Sequence, residues 1–260
     1  MSDCWSWNNA TDADGTLISS ITGSAGELGT DNLRDPRVGK VWRAGGMPAE
    51  LRIALAATGD VSIFGIFGVN FAALGVVTLR LGTTPGAGDL WEEELDPEFT
   101  ALDRQAVFVL RDGAGALAPV AASHATILAD GGVPLEIGRV WIGGADWEPR
   151  VTHTFEGTGW RADDLSSRSR TPRSGAFLVD RGARRRSFTA QYGAISPSEY
   201  EVALFDMDDR GLAQQLLFVP TEDSYNPHRF AVLGYLGEMP STDWRTLLTA
   251  ERSLTILEAG

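Results

Sequence analysis

The sequence predicts a mainly β protein: an antiparallel sandwich followed by a smaller β unit that carries one helix. Three observations predict it. Short apolar runs recur from residue 50 onward, with Gly, Pro, Asp or Asn in most of the gaps. No helical periodicity separates those runs before residue 196, so the crossover helices of a parallel sheet are missing. One later segment, beginning at Ser196, carries a full helix-start signature.

Residues 1–31 are rich in Gly, Ser, Thr, Asp and Asn and have no sustained periodicity. They read as an extended arm, whose Trp5 and Trp7 must dock on their own domain or on a neighbouring subunit. Asp35-Pro36 marks a turn, and Val41-Trp42 opens an apolar segment. Strands are then expected over residues 50–56, 61–70, 76–81, 106–111, 125–128 and 135–142. Residues 61–79 contain no charge and match a membrane span in length. Ser62, Gly65, Gly68, Asn70 and Gly75 interrupt them, however. Val61, Ile63, Phe67, Val69 and Phe71 lie on one face of a strand pattern, and Phe64 and Ile66 load the other. Two buried strands around a turn near residues 70–75 are expected. The stretch 90–103, with Glu92, Glu93, Glu94, Asp96, Glu98 and Asp103, reads as a solvated loop.

After Trp147 a strand is expected over 153–160, then a polar, basic stretch over 163–174. Two strands follow at 175–180 and 185–192, with Gly182 in the turn between them. The helix expected over 197–210 has Ser196 and Glu199 as a reciprocal cap and Pro197 at its first position. Tyr200, Ala203, Leu204 and Met207 share one face, and Gly211 is placed to end it. Strands at 216–220, 230–236 and 254–257 complete the reading. The expected organisation is an arm at 1–31, a first β unit at 32–147 and a second at 148–260.

With 260 residues, 43% of them hydrophobic, the chain can bury a self-sufficient core. Its net charge of -13 argues against specific nucleic-acid binding and against an anionic membrane as partner. Lys40 is the only lysine; the arginine bias reads as the mark of a GC-rich genome, against a role for arginine in interface ion pairs. Cys4 is the single cysteine, so no intrachain disulfide and no Cys/His zinc cluster is expected. The start, MSDCWSWNN, lacks the basic and apolar regions of a signal peptide, which fits assembly in a cytoplasm.

No catalytic residue, metal or cofactor is expected. There is no G-x-S-x-G elbow. His124, His153 and His228 lack metal-type spacing and an adjacent nucleophile. Glu92, Glu93 and Glu94 would supply a carboxylate pair for glycoside hydrolysis only if their environments split their pKa values, and a polar loop does not do that. Asp12-Ala13-Asp14-Gly15 copies the opening of a calcium loop without its terminal glutamate, and reads as a turn. DGAGA, with Gly113 and Gly115, reads as a hairpin turn.

The group that stands out is Arg181, Arg184, Arg185 and Arg186, with Arg168, Arg170 and Arg173 upstream. It reads either as a solvated strand end or as one side of an intersubunit seam. In the seam, these arginines would meet Asp206, Asp208 and Asp209 of the next protomer, as complementary patches of a heterologous ring do. A basic lining facing DNA fits the overall charge less well. Trp91 and Trp147 are candidate glycan contacts, though a tryptophan beside a strand also serves as core.

The pieces AELRIALAATGDVSIFGIFGVNF, GVVTLRLGT and ATILADGGVPLEIGRVWIGG resemble the galactose-binding-like, or discoidin-like, jelly rolls of tailed-phage proteins. Asn70 ends an apolar strand in that pattern, and Ile137, Gly138, Arg139, Trp141 and Gly143 form the closing pair. RRRSFTAQYGAISPSEYEVALFDM, LLFVPTED and HRFAVLGYLGE resemble the tail-tube-type ring domain of phage distal tail proteins, although in those the ring domain often comes first. The resemblance implies a jelly-roll β-sandwich followed by a small β-barrel ring domain with one packed helix. It implies a non-enzymatic structural component of a long-tailed phage tail tip, or baseplate. Such a protein would form a cyclic homo-oligomer, a hexamer or trimer, in contact with tube, hub and fibre proteins of the virion. The alternatives are a carbohydrate-binding module that recognises a host glycan and, further off, a glycan hydrolase.

Overall fold

The computed structural model describes residues 2–26, 28–71, 74–95, 104–151, 153–154, 157–164, 167–170, 177–180, 184–220 and 227–259. The chain is mainly β, and the strand pairs within each of its units are antiparallel. It divides into two units. One comprises Met1–Glu148 with Val219–Ala231, the other Pro149–Phe218 with Val232–Gly260.

The strands of the first unit are β1 (Cys4–Ser6), β2 (Leu17–Ser20), β3 (Trp42–Arg43), β4 (Ala49–Val61), β5 (Ile63–Phe67), β6 (Val77–Gly82), β7 (Trp91–Leu95), β8 (Gln105–Val109), β9 (Val120–Ala129), β10 (Glu136–Ile137) and β11 (Arg139–Gly143). A five-stranded sheet runs β2-β4-β9-β6-β7, and a three-stranded sheet runs β11-β5-β8. Period-two alternation sends Leu51 and Ile53 of β4, Ile127 of β9, and Leu79 and Leu81 of β6 to one face of the larger sheet. They share one buried core with Phe64 and Ile66 of β5 and Val140 and Ile142 of β11. This is a sandwich of two antiparallel sheets. Residues 61–79, the membrane-span mimic, are split between β4, β5 and β6.

The closing strand expected over 135–142 is broken into β10 and β11 at Gly138. A Cβ there would run into the Val38 carbonyl, so only glycine lets the two backbones approach. Strand β11 is buried on both faces, because the first residues of the chain cover its outer side. Trp5 and Trp7 are buried, and Ser6 Oγ accepts from Trp141 Nε1 at 3.1 Å. The Asn9 side chain accepts from the Ile142 amide at 3.0 Å and donates to the Val140 carbonyl at 3.0 Å. The N-terminal residues therefore belong to the sandwich instead of standing apart as an arm. Polar composition hid this, because Asn9 and Thr11 act by side-chain hydrogen bonds to a strand edge.

Expected as part of a solvated loop, residues 91–95 form β7 instead, paired to β6. Trp91 anchors it against Phe64 and Phe108, with ring centroids at 6.0 and 5.5 Å. Residues 96–103, the remainder of that stretch, lie outside the described residues.

The second unit contains β12 (Gly159–Asp164), β13 (Ser167–Arg170), β14 (Phe177–Asp180), β15 (Arg184–Ile195), β16 (Leu216–Val219), β17 (Val232–Leu236), β18 (Thr242–Trp244) and β19 (Ala250–Glu258). Val219, the last residue of β16, is counted with the first unit. Their order is β16-β17-β19-β15-β12, with β18 on β19 and β13-β14 as a separate pair. The strand expected over 153–160 begins later, at Gly159. Phe188 of β15 stacks on Phe218 at 4.6 Å and packs against Trp160 at 4.6 Å.

The helical segment matches its expected span but not its uniformity. Helix α1 (Pro197–Glu199) passes through a π-turn (Tyr200–Leu204) into α2 (Phe205–Arg210). The reciprocal cap forms: the Glu199 amide donates to Ser196 Oγ at 3.3 Å, and the Ser196 amide donates to Glu199 Oε2 at 2.9 Å. Ala203, Leu204 and Met207 are buried, as their spacing required. Gly211 ends the helix at φ 68°, where a side chain would be strained. A third short helix, α3 (Pro227–Phe230), belongs to the first unit, and the strand expected over 230–236 begins after it, at Val232.

Candidate binding groove

The outer face of the five-stranded sheet is set by the same alternation that fills the core. Glu50 of β4 faces Leu128 of β9, which faces Thr78 of β6, in one cross-strand row. Their neighbours Leu51, Ile127 and Leu79 point inward and are buried. At this end of the sheet the row forms the base of a groove of about 480 Å³. Ile21, Pro48, Val76 and Leu128 supply aliphatic surface, and Thr22, Glu50, Thr78 and Asp130 supply polar groups. The volume is within the range of small-molecule sites.

Charge on this face is organised in the next row, where Arg52, Thr126 and Arg80 lie side by side. Arg52 Nε donates to Glu50 Oε1 at 2.5 Å, and Arg80 Nε donates to Glu92 Oε2 at 2.8 Å. The neighbouring 83–90 loop is tied by Asp89, which accepts from the Thr83 hydroxyl at 2.7 Å and the Thr83 amide at 3.0 Å. Those hydrogen bonds, the hydroxyl's first, hold the Asp89 carboxyl below its ordinary pKa. The loop returns to the sheet through the Gly86 carbonyl, which accepts from Arg80 Nη1 at 3.4 Å.

No nucleophile–base pair faces the groove among its lining residues. An aliphatic base with two hydroxyls and two carboxylates suits recognition of a small hydroxylated molecule.

Neither Trp91 nor Trp147 lines this groove. Trp91 packs inward as described, and Trp147 is buried against Trp5, with ring centroids 6.4 Å apart. Glu92, Glu93 and Glu94 are exposed along β7. Elsewhere in the chain, the proposed seam residues are placed as follows. Arg186 pairs with Glu258 at 2.6 Å, Asp206 with Arg210 at 3.1 Å, and Asp208 with the buried Arg252. Arg185 and Asp209 are exposed. Arg173 and Arg181 lie outside the described residues, as do the side chains of Arg168, Arg170 and Arg184.

Sequence reading missed the groove. Glu50 is foreseeable as the polar partner of Leu51 in an alternating run. Leu128 is not, since an outward leucine in an apolar strand carries no mark. Thr22, Pro48 and Asp130 meet only once the sheet register is known.

No protein-family model matches the chain, and no curated protein matches it. Solved structures do resemble it. One is a family 32 carbohydrate-binding module from Clostridium perfringens, 14% identical, covering 52% of this chain and 98% of its own, with a TM-score of 0.40. Another is the family 32 module of NanJ from C. perfringens in complex with galactose, 14% identical, covering 54% and 98%, with a TM-score of 0.39. A third is a Ruminococcus gnavus GH29 fucosidase in complex with fucose, 13% identical, covering 53% of this chain and 27% of its own, with a TM-score of 0.41.

Proposed function

We propose that the first unit is a carbohydrate-binding module and that its groove takes a saccharide without chemical conversion. The carrying observation is the groove's composition. Pyranoses present C–H faces between rims of hydroxyl groups. Leu128, Ile21 and Val76 match the first, and Thr22, Thr78, Glu50 and Asp130 match the second. Glu50 is already tied to Arg52, so it is oriented to accept hydrogen bonds.

A glycan array probed with the full chain, followed by calorimetric titration of any hit, tests this reading. Binding in the range of a small ligand is expected, and Leu128→Glu should abolish it while leaving the melting temperature unchanged. A silent array, or binding indifferent to Leu128→Glu and Thr78→Val, would reject the groove as the site.

A second reading is favoured by the second unit. Leu247 and Leu248, 94% and 74% exposed, project with Trp244 from the β18–β19 hairpin, and Val202 and Phe205 are exposed on the helix. Surface of this kind fits a subunit of a larger structural assembly, such as the phage tail tip implied by resemblance. Native mass spectrometry should then give closed rings. Arg185→Glu, measured at two salt concentrations, reports whether the arginine seam contributes to them.

A further inference from the structure

Each sandwich sheet has two edge strands, and an edge strand presents unpaired backbone groups that invite another strand unless something blunts it. Three of the four edges here are blunted. On β11, Asn9 bonds the Ile142 amide and the Val140 carbonyl, and Thr11 Oγ1 donates to the same carbonyl at 3.1 Å. On β8, the outward Val107 amide donates to His228 Nδ1 at 3.1 Å. On β7, Glu92, Glu93 and Glu94 set like charges along the edge.

The fourth edge, β2, is covered only in part: the 3-10 turn Thr30–Arg34 packs near it, and the Arg34 guanidinium caps the Thr16 carbonyl at its start. Its sequence, Leu-Ile-Ser-Ser, is uncharged. The ladder to β4 continues through the Ile21 amide, which donates to the Glu50 carbonyl at 2.9 Å. Leu17, Ser19 and Ile21 therefore face β4 with their backbone groups, and Ile18 and Ser20 turn theirs to the open side. The Ser20 carbonyl accepts from the Gly23 amide, and the Thr16 carbonyl accepts from Arg34. The backbone groups of Ile18 and the Ser20 amide have no hydrogen-bond partner among the described residues. Leu17 and Ile21, 69% and 55% exposed, stand on the outer face.

We propose that β2 pairs antiparallel with β2 of a second copy of this chain, about a two-fold axis through Ser19. This register is self-complementary. Ile18 of each chain faces Ser20 of the other and can exchange two backbone hydrogen bonds with it. Leu17 of each chain faces Ile21 of the other, so four exposed aliphatic side chains become two cross-strand pairs. Ser19 meets its own copy as a non-hydrogen-bonded pair, with Cα atoms about 4.5 Å apart. No charge on β2 opposes self-pairing. The two five-stranded sheets become one of ten strands, with a groove on each side of the axis. This interface is isologous and closes at two copies. Ile21 stands at the border of both the groove and this interface, but the pairing does not rest on the saccharide reading.

Sedimentation velocity on the full chain tests it, together with two variants. Wild type should show a concentration-dependent dimer. Ser19→Lys, which sets two ammonium groups face to face on an exposed site, should shift the chain to monomer with unchanged circular dichroism, its melting temperature no longer varying with protein concentration. Ser19→Cys should form an intermolecular disulfide on mild oxidation, since that Cα separation is within bonding range, while wild type, with only the buried Cys4, should not. A chain monomeric at all concentrations overturns the proposal. So does an oligomer that Ser19→Lys leaves intact, which would place the contact elsewhere, or one whose Ser19→Cys form does not cross-link. Glycan binding retained by monomeric Ser19→Lys separates the two proposals, because each stands or falls on its own readout.

Discussion

The side-chain carbonyl of Asn70 accepts the backbone amide of Glu136 at 2.8 Å. Its amide group donates to the Pro134 carbonyl at 2.9 Å. One side chain thus fastens the end of the β5 connection to the start of the closing strands, 66 residues later in the chain.

Asn70→Leu should leave the Glu136 amide and the Pro134 carbonyl without partners, at a cost of about 1–3 kcal/mol. Asn70→Asp should keep the first bond and set a carboxylate against the Pro134 carbonyl, giving a loss that eases in acid. Thermal unfolding of both variants at pH 7 and pH 4 checks this ordering.

In the second unit, burial decides which aspartate matters. The Arg252 side chain is fully buried beside Asp208, whereas the Asp206–Arg210 pair is exposed. Asp208→Ala strands a buried guanidinium and should cost about 3 kcal/mol or more. Asp206→Ala should cost roughly 0.5 kcal/mol or less. Chemical denaturation followed at the second unit's tryptophans, Trp160 and Trp244, distinguishes them; equal effects would contradict the burial argument.

The helix cap gives a pH signature. Burial alone raises the Glu199 pKa, but hydrogen bonds from the Ser196 amide and hydroxyl and from the Arg150 amide, with the Arg150 charge, leave it net below its ordinary value. Because the folded value is depressed, the cap's contribution is present above the unfolded pKa of about 4.3. It is lost as pH falls through the folded value. Glu199→Gln should flatten this acid limb, and Ser196→Ala should cost about 0.5–2 kcal/mol at pH 7. Melting temperature against pH from 2.5 to 7 checks both.

His228 gives the second signature, at higher pH. Burial lowers its pKa, and its Nδ1 accepts the Val107 amide only while that nitrogen is unprotonated. The stability it contributes is present above the unfolded value of about 6.5 and is lost as pH falls through the folded one. The protection of the Val107 amide against hydrogen exchange, taken relative to its intrinsic rate at each pH, should fall as pH is lowered through the folded value in wild type, and His228→Ala should show little protection at any pH.

The sandwich was legible because its strands alternate: Leu51, Ile53, Leu79, Leu81 and Ile127 reach the core as their spacing requires. The cap at Ser196 was legible because its hydrogen bonds are local. What escaped depends on contacts between distant residues. Asn9 reads as a loop residue until β11 lies beside it, and Glu92 to Glu94 read as a loop until Trp91 is seen packed on Phe108. The groove escaped for the same reason, since its rows exist only in the paired sheet.

Residues 219–231 return to the first unit after seventy residues spent in the second. Their His228 closes β8, and Gln105 Nε2 donates to the His228 and Ala231 carbonyls at 2.8 and 3.0 Å. A break at residue 148 therefore does not release a finished module. The fragment would keep every strand of the sandwich and lose the plug on one of its borders. Recombination that moved only the first 148 residues into another gene would leave behind the segment that covers β8.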